Sequence, residues 1–250
     1  MKLKRNLKTT TVSNKNKAAE CTANNGIIPV RKWFLPKEYR HYLLLLYLPI
    51  YLAAFFLLER HITTNYWVSY WPALDDRIPF VSWFVIPYYI WYPYIILTGV
   101  FFMFRDIHTF TRYMYSVIIG YSLGLLICAL FPNGQNLRPM SFREDSIFTR
   151  MVQAIYRVDT NTNVLPSFHV IGSFAVVSAV MNSTSTRNRC FQAFMIVMAV
   201  LICASTVFIK QHSVLDIFAG LIINLLLHIT LYTIPNRSGR RKQHVSEIHT

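Results

Sequence analysis

The chain has 250 residues, of which 54% are hydrophobic, 15% aromatic and only 14% charged. A soluble globular domain carries about a quarter charged residues, so this composition excludes that class and points to a membrane protein. The formal charge of +14 does not argue for a nucleic-acid partner, because ten of the 25 Lys and Arg precede Tyr42 and four more lie between Arg237 and Lys242; basic ends on a membrane protein hold it against anionic lipid and fix its orientation.

Residues 1–41 read as a basic polar tail, since "MKLKRNLKTTTVSNKNK" lacks the apolar core and small-residue cleavage site of a signal peptide. Residues 42–234 read as one membrane domain without internal repeats, and residues 235–250 as a basic carboxyl tail. A membrane helix needs about 20 mainly apolar residues. Six segments meet that need: Tyr42 to Leu58, Phe80 to Phe104, Tyr113 to Phe131, Val164 to Met181, Phe191 to Ile209 and Ser213 to Ile234. The expected fold is therefore all-α, an integral membrane six-helix bundle. Pro87 and Pro93 lie in the second segment and predict a kink or a later start. The cysteines, Cys21, Cys128, Cys190 and Cys203, show neither metal-ligand spacing nor a disulfide framework.

With both ends on the cytoplasmic side, the inner segments hold 18 Lys and Arg and the outer ones seven: Arg60, Arg77, Arg138, Arg143, Arg150, Arg157 and Lys210. The positive-inside rule favours this orientation. It brings "NGQNLRPM", "NVLPSFHV" and "STVFIKQHSVLD" to the outer face.

Ionisable groups at membrane depth are costly and mark a site, a pairing partner or a water-filled cavity. His212 and Asp216 are four residues apart, which places them on one helical face a turn apart. There the carboxylate orients one imidazole nitrogen and leaves the other as nucleophile or base; a helix-capping pair at the interface fits the same spacing. His169 and Ser167 sit at the start of the fourth segment, where helix amides favour an anion and the serine is placed to cap. Arg138 and Lys210 are interface charges that could together hold a phosphate. Two histidines, one of them oriented by an aspartate, with two cations and a helix amino terminus, form an inventory for phosphoryl transfer to a histidine nucleophile. His41, His61 and His108 fall at span ends, and His228 lies inside the last span, facing a neighbour or a polar pocket.

"PSFH" resembles the proline-serine-any-histidine motif of the type 2 phosphatidic-acid phosphatase superfamily, and "STVFIKQHSVLD" its serine, histidine and aspartate motif. The resemblance covers roughly Leu130 to Gly220. It implies that His212 is the nucleophile forming a phosphohistidine, Asp216 its orienting partner, His169 the general acid, and Ser167 and Arg138 phosphate ligands. Two positions depart from the pattern: Phe131 stands where the family has a lysine, and Thr206 where it has an arginine. Lys210, four residues beyond Thr206, lies one helical turn on and could supply the missing cation. The departures resemble the branch of inositol phosphorylceramide and sphingomyelin synthases, which transfer a phospho-headgroup to a lipid alcohol.

The implied partners are a lipid phosphate substrate and membrane lipids, with no cofactor and no metal; further Cys, His or carboxylate ligands at suitable spacing are lacking. A membrane transporter or channel is the alternative. It predicts inverted repeats or polar residues near the bilayer midplane, whereas these residues cluster at one rim.

Overall fold

The computed structural model describes residues 37–61, 65–142 and 144–234. Most of the amino-terminal tail and the whole carboxyl tail expected from the sequence lie outside the described residues, as does Cys21. The remaining cysteines, Cys128, Cys190 and Cys203, are free thiols.

A 3₁₀ stretch, Lys37–Leu46, leads into α1, Tyr47–His61. Pro49 is the third residue of α1, just after the 3₁₀ stretch passes into the α-helix. A loop with one short strand, β1 (Trp67–Val68), and one turn of helix, α2 (Pro72–Asp75), follows. The long helix α3, Val85–Arg105, begins five residues later than the hydropathy suggests and carries Pro93 inside it. Helix α4, Ile107–Leu130, is followed by β2, Asn133–Gly134, and by α5, Ile147–Val158. The last three helices are α6 (Phe168–Asn182), α7 (Arg189–Phe208) and α8 (Val214–His228), the last continued by a π-helical turn, Ile229–Thr233.

The protein is helical as expected, with a two-residue parallel ladder between β1 and β2 added. Among the described residues, five helical segments are long and apolar enough to cross a membrane: Arg40–His61, Ser82–Arg105, Ile107–Leu130, Arg189–Phe208 and Val214–Thr233. The sixth expected span is shorter. Its residues 164–167 are irregular, Ser167 is the N-cap, and α6 keeps 15 residues. At about 1.5 Å per residue these cover roughly 22 Å, against a hydrocarbon core of about 30 Å. Helix α6 instead occupies the centre of the bundle, touching α3, α4, α7 and α8, with Val170, Ile171, Val176 and Ala179 fully buried.

Among membrane helices the attraction comes from close van der Waals packing rather than from removing surface from water, which favours small residues at the contacts. Gly124 shows the constraint: a Cβ there would lie 2.6 Å from Phe168 Cε1. Gly220 would bring its Cβ to 2.9 Å from Val170 Cβ. Helix α1 lies at the edge, with Leu48, Ile50, Leu52 and Leu57 exposed.

Helix α5 occupies what the sequence reading left as a connection. Ser146 caps it by accepting from the Thr149 amide at 3.2 Å, and Val152 and Ile155 pack against Val85, Tyr88 and Ile209. Its apolar residues repeat at helical spacing but are too few to span, so a search for 20-residue apolar runs passes over it.

At the end of the bundle that holds these connections, the loops are bonded to one another. The Trp67 amide donates to Pro132 O, the Ser69 amide to Gly134 O, the Gln135 amide to Asn161 O and the Asn163 amide to Asn133 O. Asn133 also accepts from the Leu165 amide at 2.8 Å and donates to Leu165 O at 3.1 Å. Three separate connections thus become one framework around the start of α6. The opposite end is closed by Asp106, whose carboxylate accepts from the Thr109 amide, Thr109 Oγ1 and Ser183 Oγ.

Candidate active site

His212 and Asp216 meet, although His212 precedes α8 rather than lying on it. Ser213 is the N-cap, and Asp216, three residues on, folds back in a reciprocal capping box. Its Oδ2 accepts from the Ser213 amide at 2.9 Å and faces His212 Nδ1 at 3.1 Å. The pairing and capping roles that the sequence set as alternatives are therefore held by one carboxylate oxygen.

The main chain brings in the second histidine. The Ser167 amide donates to Asp216 O at 3.1 Å, which fastens the start of α6 to the start of α8. His169 lies on the first turn of α6, its ring centroid 5.7 Å from that of His212 and the planes inclined at 68°. The rings of Tyr88 and Trp91, both on α3, flank it at 4.4 and 4.3 Å. They restrict the imidazole's orientation.

Both histidines line a cavity of about 210 Å³. One wall is apolar, from Tyr51, Leu52, Phe55 and Phe56 on α1 with Trp91 and Phe168; the other is polar, from Glu59, Asp159, Thr160, Asn163 and Gln211. Hydrogen bonds order the polar wall. Glu59 Oε1 accepts from the Thr160 amide at 2.8 Å and from Thr160 Oγ1 at 2.7 Å. Asp159 Oδ2 accepts from Tyr88 Oη and Gln211 Nε2, both at 2.8 Å. Volume alone does not mark the site, because a hollow of about 410 Å³ between α3 and α7 is lined by no histidine or carboxylate.

Ser167 Oγ, both ring nitrogens of His169, Asn163 Oδ1, Gln211 Oε1 and Arg138 Nε are buried without hydrogen-bond partners. Each such group costs about 1–3 kcal/mol, so a cluster of them marks a place where a ligand or water completes the bonding. Ser167 occupies the N-cap position, yet its side chain makes no capping bond; the expected cap leaves its hydroxyl free.

The two cations stand differently from the sequence reading. Arg138 donates to Tyr156 O, Asp159 O and Thr160 O, stacks 4.3 Å from the Tyr156 ring, and keeps Nε unpaired. Burial pushes its pKa below the usual range, opposed by the nearby Asp159 carboxylate. Lys210 is not one turn beyond Thr206 on a continuous helix, because α7 ends at Phe208 and Lys210 takes φ 56°. Its ammonium donates to Asp75 O at 2.9 Å and Ile78 O at 2.6 Å, and it lines a separate cleft with Asp75, Asp76 and Asn136. Burial lowers its pKa, opposed by Asp75 and Asp76. Neither Arg138 nor Lys210 lines the histidine cavity.

Sequence reasoning missed Ser69, Asp75, Glu59, Tyr88 and Trp91. Glu59, in the apolar run "YLAAFFLLERH", carried a signal, since an acid at membrane depth needs a partner. Of the other polar groups, His228 Nδ1 lies 3.0 Å from Ser178 Oγ, and Asn224 donates to Val170 O and Gly220 O. No group of three or more His, Cys, Asp or Glu that could hold a metal ion occurs among the described residues.

Fold and site together define a class: a protein of apolar helices, multi-pass by their length and composition, with two histidines and a buried aspartate gathered at one end. A family model described as the PAP2 superfamily matches residues 138–240, a stretch that includes Arg138, Ser167, His169, His212 and Asp216. It leaves out α1 to α4 and the loop that carries Ser69 and Asp75. No curated protein and no solved structure matches the chain.

Proposed function

We propose that this protein is a membrane-embedded lipid phosphatase or phosphotransferase of the PAP2 kind, which cleaves a lipid phosphate ester through a phosphohistidine. The observation that carries the reading is the His212 ring, bonded through Nδ1 to a fully buried carboxylate, with His169 5.7 Å away on the same cavity.

With Nδ1–H held by Asp216, His212 is the tautomer whose Nε2 lone pair is free to attack phosphorus. The bond from phosphorus to the lipid oxygen breaks as the P–N bond forms, and that oxygen takes a proton from His169. In the second step water or another alcohol attacks phosphorus, gives its proton to His169, and the P–N electron pair returns to His212. Hydrolysis and transfer differ only in this second nucleophile. Ser167 Oγ and the first amides of α6 would contact the phosphate oxygens. Arg138 offers only its free Nε, and Lys210, tied to two carbonyls, holds loops together.

Six crossings, with α6 at the centre shielded by its neighbours, would keep both termini on one side, which the excess of Lys and Arg assigns to the cytoplasm, with the site at the outer rim of the cell membrane. The phosphate then remains in the headgroup layer while the lipid chain runs along the apolar wall from α1.

The test is purified protein against a panel of lipid phosphate esters, with and without lipid alcohols as acceptors. The proposal expects loss of the ester with release of phosphate or appearance of a phosphorylated acceptor, and none with His212→Ala. Turnover that persists in His212→Ala contradicts it.

A further inference from the structure

Two polar residues between α1 and α3, Ser69 and Asp75, remain without a role in that chemistry. Ser69 is fully buried, and its hydroxyl donates to Asp216 Oδ1 at 2.5 Å across 147 positions of sequence. Since Oδ2 already faces His212 Nδ1 and the Ser213 amide, both oxygens of Asp216 are engaged. The terminal torsion of an aspartate is soft, so its carboxylate plane is set by the bonds it accepts. Ser69 fixes the oxygen that His212 and the α8 cap leave free.

Asp75 acts one step further back. It is 2% exposed, and Oδ1 accepts from the Val214 amide at 2.9 Å. Its Oδ2 accepts from Ser213 Oγ at 2.6 Å and from the Trp71 amide at 2.7 Å. Val214 opens α8, so its amide is among those a helix leaves unsatisfied, and Asp75 supplies the acceptor from a distant segment. Lys210 fastens the same loop through Asp75 O and Ile78 O.

We infer that Ser69 and Asp75 are positioning residues for the His212 nucleophile, contributed by a loop outside the family-matched region; the inference rests on the phosphohistidine reading above. Ser69 sets the plane of Asp216, Asp216 sets the ring of His212, and Asp75 sets the helix start that carries both. A nucleophile displaced by about 1 Å loses up to roughly 10²-fold in rate, so bonds remote from the phosphate weigh on the chemical step.

A merely structural role for Ser69 would lower stability and act independently of Asp216, whereas a positioning role acts only through it. The experiment measures single-turnover phosphorylation of His212 by an activated aryl phosphate, with a thermal midpoint, in the wild type, Ser69→Ala, Ser69→Thr, Asp216→Asn and Ser69→Ala/Asp216→Asn. Ser69→Ala should slow phosphorylation about tenfold, the weight of one charge-assisted hydrogen bond, with KM for the ester unchanged. Ser69→Thr, which keeps the hydroxyl, should restore the rate. In the Asp216→Asn background the serine substitution should change the rate by less than about twofold, because groups that act as a unit are not additive. Asp75→Ala should slow the same step at unchanged KM, with Asp75→Asn, which keeps one acceptor oxygen, in between. Tenfold losses that multiply in the double variant, or a Ser69→Ala protein of lowered midpoint and wild-type rate, overturn the role of Ser69 while leaving the phosphohistidine reading standing. A wild-type rate in Asp75→Ala removes Asp75. Absence of phosphate on His212 in the wild type overturns the reading itself, and the inference with it.

Discussion

Each end of the bundle is organised by an aspartate that caps a helix, and the two differ in what else they hold. Asp106 accepts from the Thr109 amide, Thr109 Oγ1 and Ser183 Oγ, which caps α4 and ties it to the chain after α6. Asp216 also accepts from a backbone amide and a serine hydroxyl, but its third contact is an imidazole on the wall of a cavity. A carboxylate whose partners are all amides and hydroxyls is complete as a cap. One that gives a bond to a titratable ring, beside a second ring with both nitrogens unpaired, has the parts that the proposed proton and group transfer needs. The same local device, a capping acid at a helix start, serves structure at one end and, on the proposed function, chemistry at the other.

The largest contrast should come from removing one charge at each end. Asp216→Asn keeps the shape but takes away the acceptor that sets the tautomer of His212, and should cut kcat by about 10²- to 10⁴-fold. Asp106→Asn should leave kcat unchanged and move stability by a few tenths of a kcal/mol at most, since Asn caps helices about as well as Asp. Steady-state kinetics and thermal unfolding of the two variants check this; equal losses of activity would erase the distinction between the ends.

What was legible in the sequence follows the same division between local and distant bonds. Ser167, His169, His212 and Asp216 could be read because their relations are set within a few residues, by the turn that starts α6 and the capping box that starts α8. Ser69, Asp75 and Glu59 act across 147, 138 and 101 positions, and no periodicity encodes such a pairing. Lys210 departs from the helical face that its spacing from Thr206 suggests for a local reason: α7 ends at Phe208, and Lys210 itself takes a left-handed conformation. The apolar spans were legible by length, except that α6 is a short central helix, and burial among other helices removes the need to match the bilayer thickness.

A smaller effect is expected from packing. A Cβ at Gly124 would lie 2.6 Å from Phe168, which neighbours His169 and lines the cavity, whereas one at Gly99 would lie 3.2 Å from Tyr113. Gly124→Ala should cost about 1–3 kcal/mol of overpacking and reduce activity, and Gly99→Ala should cost less and leave activity intact. Thermal unfolding in detergent with parallel assays tests the ranking. Smaller still is the response to chelation: with Asp216 committed to His212, activity should be unchanged by a chelator of divalent ions. Loss on chelation with recovery on adding magnesium would require a different account of the end that holds the histidines.

The central claim is that His212 and His169 perform different steps, and trapping the covalent intermediate tests it most directly. His169→Ala lacks the group that protonates the departing oxygen, a contribution of about 10²- to 10⁴-fold, but an ester with a good leaving group such as nitrophenolate does not need it. That variant, mixed with the activated ester and denatured in base, should carry acid-labile, base-stable phosphate on His212, while His212→Ala and the double variant should carry none. Phosphate on His169, or equal turnover of the activated ester by both single variants, would contradict the assignment.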